Sequence, residues 1–201
     1  MKKTLITLFL AMFLLPATYA QFTKIGAATG YNYNYHFNNE QFSDHLLTKF
    51  PFISLNAIYE VNLPFHLVPR FTFYIPNVYK EDIIDYQFKY VTSGFAFDVD
   101  AHYVFNSLDK MELYGLAGIN ILYSHRKYVE EIVGADTFVD KTSNTGLGLN
   151  IGAGAYWKVK DEFDLTFELK AIIASQIQLV GTFGILLNME YLWSKEEGSG
   201  Y

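Results

Sequence analysis

Between Leu179 and Trp193 the chain alternates. Leu179, Phe183, Ile185, Leu187, Met189, Tyr191 and Trp193 fall on one parity, with Gly181 among them. Gln178, Thr182, Gly184, Asn188 and Glu190 take the other, with Val180, Leu186 and Leu192. A period of two belongs to a β-strand, whose successive side chains point to opposite faces. The apolar parity holds for about fifteen residues, where a typical strand has 5–6. At roughly 3.3 Å per residue this covers about 45 Å, enough to cross a bilayer at a tilt near 45°. The stretch reads as a membrane-spanning strand, the last of a closed set.

The rest of the chain supports that reading. Of its residues 51% are hydrophobic and 18% aromatic, including 16 Tyr and 18 Phe. Yet beyond the N-terminus no apolar run nears the roughly 20 residues that a membrane helix needs. Apolar content without such runs suits many amphipathic strands. The formal net charge of −6 argues against a nucleic-acid surface, where a basic patch is expected. The absence of cysteine excludes a disulfide framework and thiolate metal sites. A length of 201 residues needs one domain.

The N-terminus has the parts of a signal peptide. Lys2 and Lys3 supply a positive region, Leu5 to Leu15 a short apolar one, and Pro16 ends it. Thr18 and Ala20 are the small residues that a signal peptidase inspects, so cleavage is expected after Ala20, with Gln21 as the mature start. The expected organisation is a signal peptide at 1–20, a barrel at 21–193 and a short tail at 194–201.

Seven further strands precede the last: about 22–37, 49–61, 65–75, 86–105, 111–124, 143–158 and 163–174. Pro69 lies inside the third, where the missing N–H weakens the ladder or marks a bulge. Polar stretches at 38–48, 76–85 and 125–142 read as long loops. Those at 62–64, 106–110 and 159–162 read as tight turns. Long loops at one end and tight turns at the other are the habit of outer-membrane barrels. The fold class expected is therefore all-β: an eight-stranded, antiparallel, up-and-down transmembrane barrel. Its loops face the exterior and its turns the periplasm.

The apolar parity should face lipid. Tyr31, Tyr33 and Tyr35 cluster toward the loop end. Tyr103, Phe105, Trp157, Phe163, Tyr191 and Trp193 cluster toward the turn end. Two aromatic belts separated by aliphatic residues match the two interfaces of a bilayer. A soluble barrel with its apolar face inward is the alternative, and the paired belts and long strands disfavour it. The opposite parity then fills the interior, which in eight strands is just wide enough for side chains. Glu60, Arg70, Asp98, Asp100, His102, Glu168, Lys170 and Glu190 all fall on it. Buried charges must be paired or wet. Arg70 and Lys170 should therefore find carboxylate partners, and inward glycines leave room for the larger side chains.

Three features together resemble a known family: the apolar leader ending before Gln21, the inward-glycine strand from Gly146 to Gly154, and the aromatic closing strand Leu187, Met189, Tyr191, Trp193. The mature chain resembles the small OmpA/OmpX-like outer-membrane barrels of Gram-negative bacteria, and most nearly the Bacteroidetes variant that includes PorT-like proteins. The resemblance implies the outer membrane as location, lipid and lipopolysaccharide as surroundings, and folding by the barrel-assembly machinery, which reads the last strand. It implies no cofactor and no nucleic-acid partner. A departure is the extension from Ser194 to Tyr201, where the family often stops.

Chemistry finds little purchase. The glycine run 146–154 lacks the following helix that a phosphate cradle needs. Ser124 and His125 are adjacent on a strand and so point apart. Asp98, Asp100 and His102 share one inward face and can be read as a cation site, but a polar core explains them as well. The expectation is a non-enzymatic barrel with a structural or loop-mediated role. An accessory part in secretion or in transport of small solutes or hydrophobic ligands is the alternative, and a lipid-acting enzyme a more distant one.

Overall fold

A computed structural model describes residues 22–35, 49–62, 64–83, 86–132, 137–175 and 177–191. The expected signal peptide with its Ala20–Gln21 junction, the 38–48 loop, Trp193 and the 194–201 tail lie outside the described residues. Eight strands run β1 Phe22–Tyr35, β2 Lys49–Asn62, β3 Phe65–Ile83, β4 Tyr86–Leu108, β5 Met111–Ile132, β6 Phe138–Lys160, β7 Phe163–Ile173 and β8 Ile177–Asn188. Each pairs antiparallel with its sequence neighbours, and β1 pairs with β8 to close a barrel. Within the closed part no edge is left free, which lipid would penalise by several kcal/mol per unpaired backbone group.

Alternation decides which side is which. Leu147 and Leu169 are 75% and 74% exposed on the outer wall, whereas Asp100 is 0% and Arg70 4% exposed inside. Tyr31, Tyr33, Tyr103, Phe105 and Trp157 also stand exposed on the outer wall. Phe163 is half-buried under the Lys160 ammonium, 5.9 Å from its ring. The Tyr35 side chain lies outside what is described.

Two proline effects shape β3. Opposite Pro69 the β2–β3 ladder skips a step. Asn56 pairs with Arg70 and Tyr59 with Leu67, with no pair between them and no change of register. Proline has no N–H to give, so the strand passes through with one gap. At Pro76 the register with β4 shifts by one residue between Tyr74 and Asn77, a bulge of the kind proline favours.

The main difference from the sequence reading lies at the loop end. The stretches 76–85 and 125–142 are mostly strand. β3 runs to Ile83, β5 to Ile132, and β6 starts at Phe138. Consequently β3 to β6 have 19, 23, 22 and 23 residues, against 11 to 14 in the other four. About 9–11 residues cross a bilayer. The remainder of β3 to β6 therefore stands beyond it as a projecting four-stranded sheet.

The closing strand is shorter than its alternation suggests. β8 ends at Asn188, and residues 189–191 form a helical turn. Asn188 faces Lys24 near the start of β1, and Leu187 faces Phe163 at the start of β7. The Asn188 N–H donates to the Glu162 carbonyl at 2.8 Å, and no ladder pair is formed past it. The Asn188 side chain instead accepts from the Glu190 N–H at 3.2 Å, a helix cap. Tyr191 turns back to hydrogen-bond Glu162, which raises its hydroxyl pKa.

Candidate functional site

The interior is organised around two ion-paired groups. Arg70 on β3 donates through both Nη atoms to the two Glu168 oxygens on β7, at 2.5 and 2.7 Å. This bidentate fork is the strong form of the interaction. Tyr114 adds a hydrogen bond to Glu168 Oε2 at 3.2 Å. Lys170 Nζ lies 3.1 Å from Asp100 Oδ2 and 3.3 Å from Asp98 Oδ1. Three carboxyl groups thus face two cations, and amides fill the shortfall. Asn120 and Asn150 each donate to Asp98 Oδ1 at 2.8 Å, and Asn150 also donates to Asp100 Oδ1 at 2.6 Å.

Glycine makes this packing possible. A Cβ added at Gly152 would meet Lys170 Cα and Cβ at 2.7 Å and also crowd the Leu169 carbonyl. Backbone cannot step aside there. Gly152→Ala is therefore expected to destabilise the barrel by about 1–3 kcal/mol, read from the urea midpoint of the protein refolded in vesicles. An unchanged midpoint would mean that Lys170 sits elsewhere.

Apolar layers close the network at both ends. Toward the loops lie Phe50, Phe52, Tyr74, Ala96, Ile172 and Val180. Toward the turns lie Ile58, Val68, Tyr114, Leu116, Tyr156 and Leu186. His102 is part of the second layer: its ring stacks on Tyr114 at 4.2 Å, and its Nδ1 is 2.5 Å from the Tyr156 hydroxyl. The lumen is thus less polar than its charged residues alone suggest.

Six of the eight residues expected inside meet there: Arg70, Asp98, Asp100, His102, Glu168 and Lys170, all at most 5% exposed. Two do not. Glu60 has the inward parity, opposite His66, but lies exposed at the turn-end mouth, beyond the last apolar layer. Glu190 is exposed in the helical turn after β8, because the strand ends before it. The charged set also leaves out Tyr114, Asn120 and Asn150. Their even numbers on β5 and β6 carry the inward parity. Lys24 and Asp164, paired at 2.7 Å near the turn end, are equally within its reach.

The residues read as candidate chemistry have other partners in the structure. Lys170 occupies the position between Asp98 and Asp100 that a cation would take. His125 bonds Ser143 at 2.9 Å and not Ser124.

At the loop end a cavity of about 280 Å³ opens above the upper apolar layer, lined in part by Asn32, Tyr74, Thr92, Arg126, Asn144 and Gln178. Asn32 donates to Gln178 Oε1 at 2.7 Å. Phe50 and Tyr74 of the packed layer line the cavity, and Asn120 of the ion-paired network also reaches it.

A long closed barrel with an oily exterior and an ion-paired interior is the build of an outer-membrane protein, and comparison with known proteins agrees. Residues 5–188 match the family described as Outer membrane protein beta-barrel domain. The chain belongs to that family. It is an outer-membrane β-barrel protein. Among solved structures it is similar to a major outer membrane protein from Thermus thermophilus (10% identity, TM-score 0.54, 82% of this chain and 98% of that one). It is also similar to the N-terminal β-barrel domain of Pseudomonas aeruginosa OprF (14%, 0.51, 85% and 99%) and to Neisserial surface protein A (15%, 0.50, 85% and 99%). At these identities the likeness is one of fold. A search of curated proteins finds no match.

Proposed function

We infer that this outer-membrane barrel is non-enzymatic and non-conducting, and that it serves the cell surface through its projecting sheet. The observation that carries this reading is the filled lumen: an Arg70–Glu168 fork and a Lys170–Asp98–Asp100 cluster between two apolar layers. A barrel so packed anchors a platform and passes little. The four long strands supply the platform. On the inner parity of the sheet Tyr79, Tyr90, Tyr128, Phe88 and Phe138 form a chain of ring contacts at 4.7 to 6.4 Å. Tyrosines that keep a polar tip suit contact with partners. In this reading the sheet faces the exterior. Tyr31, Tyr33, Tyr103, Phe105, Trp157 and Phe163 sit at the two interfaces, lipopolysaccharide surrounds the outer half, and the barrel-assembly machinery inserts a chain cleaved after Ala20.

Planar-bilayer recording tests the main point. The refolded barrel is expected to show no steady channel, and a stable open conductance would overturn the reading. The alternative role in transport has one feature in its favour, the loop-end cavity. Since residues of the packed layer line that cavity, it supports holding a small molecule and not passing one.

A further inference from the structure

The loop-end cavity has a lining that packing alone does not account for. Asn32 on β1 is 3% exposed. Its amide nitrogen donates to Gln178 Oε1 at 2.7 Å, while its own Oδ1 has no hydrogen-bond partner. A buried acceptor left unmatched costs stability, so a donor is wanted at this spot. Gly146 on β6 lines the same cavity, opposite Leu122 in the ladder. A Cβ added there would meet nothing within 4 Å, in contrast to Gly152, which Lys170 crowds. Glycine inside a strand weakens it and often marks a place where a ligand comes close. The space beside Gly146 is kept open at a cost in folding, and no described side chain uses it.

The charge of the cavity is one-sided. Arg126 on β5 is the one charged residue among its lining. It is exposed and stands between Thr92 on β4 and Thr142 on β6. Among the described residues it forms no ion pair. The acids Asp140 and Glu130 on this inward face stand one and two rows farther out, with Glu81 in the row of Glu130, and none of them lines the cavity. β1 and β5 lie four strands apart in a ring of eight, so Asn32 and Arg126 stand on opposite sides of the lumen. Phe50, Tyr74 and Leu122 supply the apolar part of the lining, with Phe50 and Tyr74 packed edge to face at 6.3 Å.

We propose that this cavity binds a small carboxylic acid that has a ring or short apolar body and a hydroxyl at its far end. The proposal rests on the cavity holding a small molecule, as inferred above. The Arg126 guanidinium, which stays charged, takes the carboxylate as a bidentate pair. The body lies against Phe50, Tyr74 and Leu122 in the room that Gly146 leaves, and the hydroxyl donates to Asn32 Oδ1. At about 280 Å³ the cavity falls just under the roughly 300 Å³ at which drug-sized pockets begin, so a single ring is the right scale. A neutral analogue forfeits the guanidinium, and an acid without the hydroxyl leaves Asn32 unmatched.

The test uses the full barrel, refolded in detergent, with para-hydroxybenzoate as probe and titration calorimetry as readout. Saturable binding is expected. It should weaken roughly tenfold or more in Arg126→Gln, and as much for para-hydroxybenzamide, which keeps the shape and lacks the charge. Benzoate should bind less tightly than para-hydroxybenzoate to the parent and equally tightly to Asn32→Ala, a pattern that a loss of packing would not produce. Gly146→Leu grows into open space, so it should abolish binding without lowering the urea midpoint. Lys127→Gln, beside Arg126 on the outer parity, should change nothing. No saturable binding by the parent, equal binding of the benzamide, or binding retained in Gly146→Leu would each overturn the proposal. A barrel that conducts and still binds would refute the closed lumen and leave this inference standing, whereas a closed barrel that does not bind would refute this inference alone.

Discussion

Replacing Glu168 by glutamine is expected to cost about 3–5 kcal/mol of stability. The change keeps the shape of the side chain and removes its charge. Arg70, 4% exposed and bonded to both Glu168 oxygens, is then left as a buried cation without its partner. Asp98 and Asp100 cannot take over, because Lys170, Asn120 and Asn150 already bind them. The measurement is equilibrium unfolding in urea from lipid vesicles, followed by tryptophan emission and by the mobility shift on heating that folded barrels show. The paired change Arg70→Met with Glu168→Met removes both charges and is expected to recover most of the loss, since an apolar pair of similar volume often replaces a buried ion pair without penalty. A single variant as stable as the parent would mean that water reaches Arg70 and that the lumen is open.

The second large effect is expected on the outer wall. Leu169→Arg places a cation on a side chain 74% exposed, in the middle of β7. If that exposure is to lipid, the cost is about 2–4 kcal/mol. Val139→Arg puts the same cation on an outer position of the projecting sheet, 47% exposed, and should cost close to nothing. Exposure to water and exposure to lipid share one geometry, and only the pair of variants separates them. Equal costs at the two positions would remove the basis for placing the bilayer between them.

These two expectations rest on features that are legible in the sequence to different degrees. The parity rule places Arg70, Glu168, Lys170, Asp98, Asp100 and His102 inside, because a side-chain period of two leaves a strand no other choice once its face is known. The partners within that set are not legible. The bond from Arg70 to Glu168 crosses the lumen between strands distant in the chain, and pairing across a barrel depends on strand stagger, which no local pattern records. Composition misleads at the loop end. The segments 76–85 and 125–142 are rich in Lys, Glu, Asp and Tyr and so read as loops, yet Val78, Lys80, Lys89, Val91, Lys127 and Val129 share an outer face there. Outside lipid a strand has no need of an apolar face, so polarity ceases to argue against a ladder. At the other end the alternation runs on to Trp193 after the ladder has stopped at Asn188. A pattern in side chains continues whether or not a neighbour is present to pair with. Glu190 reads as inward for that reason, and Glu60 because parity gives direction and not depth.

The account as a whole depends on the outer wall meeting acyl chains. The chain has no cysteine, so single cysteines can be placed along the outer parity of β6 at Lys141, Ser143, Leu147, Leu149 and Ile151 and labelled with a nitroxide in liposomes. Oxygen, which concentrates in the bilayer centre, and a water-soluble nickel chelate then report the depth of each label. The prediction is strong oxygen and weak nickel relaxation at Leu149→Cys and Ile151→Cys, reversing at Ser143→Cys and Lys141→Cys. Nickel relaxation as strong at Leu149→Cys as at Lys141→Cys would contradict it.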